Sequence, residues 1–207
     1  MIPVPGFRGA AFTSAADGNA KSAGDRTAIS QVLGVSPNWA MVDQVHGTTV
    51  VEASAPGWLG QADALFTDRR NLPIAVFAAD CVPVVMEGPR FVGAAHAGWR
   101  GLASGVIEVV VAAMAAAGSE PVRAAVGPAI GPCCYEVGPE VIAQFPEESR
   151  STTTWGTPSV DLVAEVRRRV PHLEVWSLDS CTRCGDEMHS FRRDGTAERM
   201  AGVGWIP

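Results

Sequence analysis

Residues 73–118 read PIAVFAADCVPVVMEGPRFVGAAHAGWRGLASGVIEVVVAAMAAAG. Three apolar runs open this stretch, at 73–79, 82–86 and 91–96. Each is too short for a helix and is bounded by polar or turn-forming residues, which predicts three buried strands. After Gly98 and Gly101 the pattern changes. Residues 102–117 are a continuous Ala/Val-rich run that predicts one long helix, stopped by Gly118 and Pro121. Three reactive side chains interrupt the apolar framework. Asp80 and Cys81 separate the first two strands, and His96 closes the third.

The same reading extends outward. Residues 39–53 (WAMVDQVHGTTVVEA) carry β-branched residues on both sides of His46 and Gly47, which predicts two strand segments with a bend between them. Residues 62–68 predict a short strand or a turn, and 15–25 a small polar loop. Downstream, 122–126 returns to strand, and GPAIGPCC (127–134) requires an ordered turn system. Helices are predicted at 138–145 and 160–170, the second capped by Ser159. Residues 172–178 alternate like a half-exposed strand, and a last strand falls at 200–206. Strands and helices interleave, so the fold class is α/β or α+β with a mixed sheet.

The chain has 207 residues, of which 47% are hydrophobic and 18% charged, a globular balance that excludes wholesale disorder. That length fits a single domain spanning 1–207. Sixteen basic residues against 22 acidic give a net charge of -6. Nucleic acid is therefore not an expected partner, because neutralising phosphates needs a basic surface. Lys21 is the sole Lys among those basic residues, which reads as a usage bias rather than a functional mark. The N-terminal residues lack a signal-peptide pattern, and the Ala-rich run at 101–118 contains Glu108 and reads as a buried helix rather than a membrane span. Five Cys, an odd set, do not form a secreted scaffold. The expectation is a reducing, cytoplasmic setting in which thiols are available for chemistry.

His46, Cys81 and His96 are 35 and 15 residues apart, so they form no local zinc-finger pattern. Adjacent strand ends can still converge. Two imidazoles and one thiolate would bind Zn²⁺ and leave a fourth position open for water or substrate. Two other readings stand beside this one. The His and Cys can be ordinary buried side chains, or Cys81 can be a nucleophile with His96 as its base and no metal. In HAGWRG (96–101), Gly98 permits a tight turn, Arg100 is a bidentate donor for an anion at the helix start, and Trp99 can stack on a ring. The alternative is Arg100 paired with a surface carboxylate and Trp99 in the core. Asp63 and Asp68 bracket a strand, as turn residues or as partners orienting a metal-bound His. Cys133 and Cys134 read as structural and buried. Cys181-x-x-Cys184, with His189 nearby, looks like half a zinc ribbon or a redox pair. No second CxxC completes it, so it reads as a partly exposed loop. Arg192 and Arg193 predict a turn with a basic face, either solvated or in contact with an anion.

Several segments together match one pattern: Gln44-Val45-His46-Gly47, Ala62-Asp63-Ala64-Leu65, Ala79-Asp80-Cys81-Val82-Pro83, HAGWRG, GPAIGPCCYEVG (127–138), and Ser190-Phe191-Arg192-Arg193-Asp194-Gly195 with Arg199-Met200-Ala201. From about residue 39 onward the chain resembles the multicopper polyphenol oxidoreductase (laccase-domain) family. That family is also described as purine nucleoside phosphorylases and, in one branch, peptidoglycan editing factors. The resemblance implies a single-domain, layered α-β-β-α sandwich with mixed sheets. It implies zinc at His46, Cys81 and His96, with copper an alternative metal, although four His cannot furnish a multicopper centre. It implies phosphorolysis of adenosine, inosine, guanosine and methylthioadenosine, with adenosine deamination at the same site. Purine nucleosides and phosphate are then the partners, and the chain is expected to be a monomer or weak homodimer. Catalytic roles are expected for Cys81, His96, Asp80 and Arg100, and substrate binding for Gln44, Gly98, Trp99 and Cys133. A Cys81/His96 hydrolase or amidase acting on peptidoglycan precursors is the competing reading. One departure is plain. Family members carry a Ser-Thr-Arg segment near the N-terminus, whereas residues 12–18 here are FTSAADG. If that Arg holds phosphate or nucleoside, its contribution is either missing here or supplied from elsewhere, with Arg8 and Arg26 as the candidates.

Overall fold

A computed structural model describes residues 1–207. In chain order the strands are β1 (Ile2–Pro3), β2 (Ala10–Phe12), β3 (Ala40–Asp43), β4 (Val50–Glu52), β5 (Gly57–Gln61), β6 (Ala64–Thr67), β7 (Ile74–Ala78), β8 (Val82–Glu87), β9 (Val92–Ala97), β10 (Arg123–Val126), β11 (Arg150–Thr152), β12 (Pro158–Val160), β13 (Glu174–Ser177) and β14 (Met200–Gly204). The helices are α1 (Ala23–Leu33), α2 (Trp99–Ala103), α3 (Val106–Ala116), α4 (Pro139–Ile142), α5 (Leu162–Arg169) and α6 (Phe191–Asp194).

Two six-stranded sheets form the centre. The first has the order β1-β2-β14-β7-β3-β5 and the second β13-β10-β8-β9-β6-β4. Both are mixed: β3 runs parallel to β5 and β7, β4 to β6, and β10 to β13, while the other pairs are antiparallel. The alternation of strand side chains sorts the core into three layers. Ile74 and Val76 of β7 meet Val85, Val92 and Ala94 between the sheets, with Phe12 and Leu65. Their neighbours Ala75 and Phe77 face outward with Trp39 and Met41, against Ile29 of α1. On the far side of the second sheet, Val84, Met86, Ala95 and Phe66 pack against Leu102, Val106, Ile107, Val110, Met114, Leu162 and Val166. The architecture is therefore α-β-β-α, as the resemblance implies.

Local differences from the sequence reading have identifiable causes. The run at 102–117 is two helices rather than one. Gly105 takes φ +95°, a left-handed conformation that ends α2 at Ala103 and lets α3 start at Val106. Residues 158–160 pair with β11, so Ser159 lies in a strand. The helix that follows is capped by Asp161, whose Oδ1 accepts from the Ala164 amide at 2.8 Å. The segment 138–145 holds only the short α4. The loop at 15–25 contains a 3₁₀ turn and the start of α1. The edge strands β1 and β5, and the three-residue β2 beside β1, carried no alternation long enough to read.

Candidate metal centre and active-site cleft

Sheet register assembles the site. β8 and β9 pair so that Pro83 lies opposite His96, which leaves Cys81 just beyond the start of β8. β9 pairs with β6 through Ala95 and Ala64, and the His96 amide donates to the Asp63 carbonyl at 2.7 Å. β4 runs parallel to β6 from Val50 and Ala64, so the 44–49 loop before it opens at the same end. Four adjacent strands thus bring Cys81, His96, Asp63 and His46 to one rim of the second sheet. At that rim β7 ends in the first sheet and the chain crosses to β8 in the second through Asp80 and Cys81. Backbone conformation is unusual here. His46 and Asp80, with φ 62° and 93°, are two of the three non-glycine residues at positive φ.

Asp63 organises the rim. It is fully buried and accepts from the amides of Val45, His46 and Gly47 at 3.2, 3.0 and 2.6 Å, and from His96 Nδ1 at 2.8 Å. Burial alone would raise its carboxyl pKa. The hydrogen bonds from His96 and the Gly47 amide outweigh burial and hold it below the usual range. One carboxylate therefore shapes the turn that presents His46 and fixes His96 with Nε2 free.

His46 Nε2 lies 3.9 Å from Cys81 Sγ, and the two imidazoles stand nearly perpendicular at 77° with centroids 4.9 Å apart. One donor atom from each of His46, Cys81 and His96 falls within 4.8 Å of the others. A tetrahedral ion with Zn–N of about 2.05 Å and Zn–S of about 2.3 Å separates N from S by about 3.6 Å. The observed separation is within a few tenths of that, so the trio can hold a metal ion. Gly98 makes room for it, since a Cβ there would stand 2.7 Å from His46 Cδ2 and 3.1 Å from Cys81 Sγ. Without a metal, burial pushes the Cys81 thiol up, but hydrogen bonds from His46 and His96 and the His96 charge bring it down to about 6. Burial would lower His96; its bonds to Asp63 and Cys81 instead raise it to about 9.

The trio opens into a cleft of about 450 Å³, within the range of small-molecule sites. Phe77, Trp99, Tyr135 and Phe191 supply aromatic walls, and Lys21, Arg192 and Arg199 supply three cations. Arg199 precedes β14, whose Met200 pairs with Ala78. The Ala20 amide donates to the Arg199 carbonyl at 2.9 Å, which brings Lys21 alongside. Burial and the nearby Cys81 push the Tyr135 phenol up to about 12, so it remains a proton donor at neutral pH. Lys21 and Phe77 gave no site signal in the sequence beyond the rarity of Lys, and Phe191 stood out only as part of the segment 190–195.

Several expected site residues lie in different surroundings. Arg100 is exposed, stacks 4.3 Å over the Trp99 ring and does not line the cleft. Arg8 bonds to the carbonyls of Gly88 and Pro89, and Arg26 to those of Ala20 and Lys21, and neither lines the cleft. Gln44 lines the cleft, but its amide is engaged in both directions: Nε2 donates to the Phe77 carbonyl at 2.7 Å, and Oε1 accepts from the Phe77 amide at 2.8 Å. Asp80 also faces the cleft, with Oδ1 accepting from the Thr182 hydroxyl and Oδ2 from the Arg192 amide, each at 2.6 Å. Asp68 pairs with Arg90 at 2.6 Å, away from either His. Cys133 is outside the cleft and meets Cys134, Cys181 and Cys184. His172 lies by Glu120, and His189 lies by Gly18 and Glu198, so only two of the four His share a site.

The family described as multi-copper polyphenol oxidoreductase laccase has a model that matches residues 10–207. The chain belongs to this family. The match takes in β2, so membership extends well before residue 39 despite the missing Ser-Thr-Arg. A Streptomyces coelicolor protein named purine nucleoside phosphorylase is 38% identical over 197 residues, covering 88% of this chain and 81% of its own length. A Corynebacterium glutamicum protein of the same name is 37% identical, covering 89% and 81%. The crystal structure of YlmD from Geobacillus stearothermophilus superposes with a TM-score of 0.79 at 30% identity, covering 89% of this chain and 80% of that one. No helix is long and apolar enough to cross a membrane.

Proposed function

We propose that this family member is a zinc-dependent purine nucleoside phosphorylase acting on adenosine, inosine, guanosine and methylthioadenosine, and that it deaminates adenosine at the same site. The relatives' names support the reaction class. The observation that carries the reading is the meeting of three metal-ligand side chains, three cations and four aromatic rings in one cleft. His46, Cys81 and His96 hold the ion, with Asp63 fixing the orientation of His96. When bound, such an ion supplies Lewis acidity at its open coordination position.

The chain's own groups do the rest. Lys21, Arg192 and Arg199 hold phosphate by charge, the role expected of Arg100 in the sequence. The aromatic walls stack on the purine and keep water from the glycosidic bond. A phosphate oxygen forms the bond to C1′ as the C1′–N9 bond breaks. The bonding pair leaves with the purine, and the proton of hydrogenphosphate ends on the base. Asp80 is a positioning residue, since both of its oxygens accept from Thr182 and Arg192.

The test is product identification. With adenosine and phosphate the protein yields adenine and ribose 1-phosphate, and Cys81→Ala abolishes this together with inosine formation. Full nucleoside turnover by folded Cys81→Ala refutes the reading. The pairing of a lowered Cys81 thiol with a raised His96 favours one competing function, a metal-free cysteine hydrolase or amidase acting on peptidoglycan precursors. Activity that resists chelators but is lost on thiol alkylation selects that alternative.

A further inference from the structure

Four of the five cysteines lie outside the cleft and converge on one point. Cys133 and Cys134 sit in the turn after β10, and Cys181 and Cys184 in the loop after β13. β10 and β13 are parallel neighbours, so both loops leave the same end of the sheet. A bridge between Ala129 and Cys181 continues that pairing beyond the strands. Cys184 Sγ lies 3.5 Å from both Cys133 Sγ and Cys134 Sγ, which are 3.7 Å from each other, and all four sulfurs lie within 4.8 Å. A tetrahedron with Zn–S of about 2.3 Å has S–S edges of about 3.8 Å. The vicinal pair thus completes the half-ribbon that lacked a second CxxC.

We propose that Cys133, Cys134, Cys181 and Cys184 form a second metal site, a closed tetrahedral thiolate centre for a structural zinc ion. The site has the partners such a centre needs. The Gly131 amide donates to Cys181 Sγ at 3.2 Å, which neutralises part of the thiolate charge. Gly131 lets the two loops approach closely, since a Cβ there would stand 3.1 Å from Cys181 Cβ and 3.3 Å from Cys133 Sγ, tighter than an ordinary contact. Arg193 closes the loop from outside by donating to the carbonyls of Thr182, Gly185 and Met188. With no open position, the ion binds no substrate and braces structure. What it braces is the cleft wall. Thr182, between the two loop cysteines, donates its hydroxyl to Asp80, and the Ile130 amide, three residues before Cys133, donates to the Asp80 carbonyl at 2.9 Å. Both loops therefore hold the residue that precedes Cys81.

The test compares metal content in the full-length wild type, Cys81→Ser and Cys181→Ser/Cys184→Ser, each purified from zinc-supplemented cells. Cys81→Ser removes a ligand of the cleft site only, so it retains a zinc equivalent. The double variant loses one equivalent relative to wild type. Co²⁺ loaded into Cys81→Ser gives thiolate-to-metal charge-transfer absorption of four-sulfur intensity, which falls on addition of an organomercurial that titrates the cysteines. Should the double variant fail to fold, the cobalt spectrum of Cys81→Ser decides alone. Absence of the charge-transfer band, a disulfide among the four cysteines in protein purified without oxidant, or immediate reaction of all four thiols with Ellman's reagent in metal-replete Cys81→Ser overturns the proposal.

Discussion

Asp63→Asn is the most informative single change, because one buried group carries four hydrogen bonds. Asn keeps the volume but replaces one acceptor oxygen with a donor NH₂. If its oxygen takes the place of Oδ2 and keeps the Val45 and Gly47 amides, the NH₂ takes the place of Oδ1 and faces both the His46 amide and His96 Nδ1, where a proton already sits. Two donors cannot share that contact, so His96 shifts its proton to Nε2 and loses the lone pair that binds metal. If the amide turns the other way, the His46 turn loses its charged anchor. Loss of an orienting partner of this kind weakens metal binding about 10- to 100-fold, equivalent to about 1.4–2.7 kcal/mol. The bond to a charged group adds about 1.5–3 kcal/mol to folding stability that the variant forfeits. The assay is competition against a chromophoric chelator, alongside urea unfolding of the metal-free protein. A folded Asp63→Asn that binds metal with wild-type affinity refutes the view that Asp63 sets the His96 tautomer.

Gly98→Ala places a methyl 2.7 Å from His46 and 3.1 Å from Cys81, so metal affinity falls while secondary structure by circular dichroism is unchanged. Lys21→Ala removes an exposed cation at the cleft mouth and raises the KM for phosphate about tenfold, from about 1.5 kcal/mol of charged hydrogen bonding, with little change in the KM for nucleoside. Glu165 is fully buried and bonded to Arg168, Arg169 and Ser149, and these bonds overcome its burial to hold its carboxyl at about 2 instead of 4.5. A lowered folded-state value means the stabilisation is complete above about pH 4.5 and is lost as the pH falls toward 2; it is at most about 3 kcal/mol, less because Arg168 is half exposed. Glu165→Gln is accordingly less stable than wild type in urea at pH 7, and the gap narrows at pH 3; an equal gap at both pH values contradicts the assignment.

The sequence showed the second sheet well and the first poorly, for a physical reason. Strands β8 and β9 are buried on both faces, so they read as continuous apolar runs. β1 and β5 lie at sheet edges and are too short or too exposed to carry a period. The gap between β7 and β8 was visible, but not that the chain changes sheets there. That crossing turns Asp80-Cys81 from a local break into the seam of the sandwich. His46, Cys81 and His96 stood out because each is polar within an apolar context, and Asp63 because it bracketed a strand. The anion-binding side was legible only in part, through the basic turn at Arg192 and the segment that opens with Arg199. Lys21 and Arg199 lie on solvent-facing segments where charge is ordinary, and they are brought together by the Ala20–Arg199 backbone bond and the bond from the Arg199 amide to Asn19 Oδ1. Arg100 shows the converse. Its place beside a glycine turn suggested an anion site, yet α2 is a five-residue helix that turns Arg100 outward over Trp99. The thiols give the same lesson at longer range. Two pairs that looked incomplete along the chain become one four-sulfur cluster, because parallel pairing of β10 with β13 sends both loops the same way. Ligand sets in this fold are thus written in strand register, which residue spacing does not record.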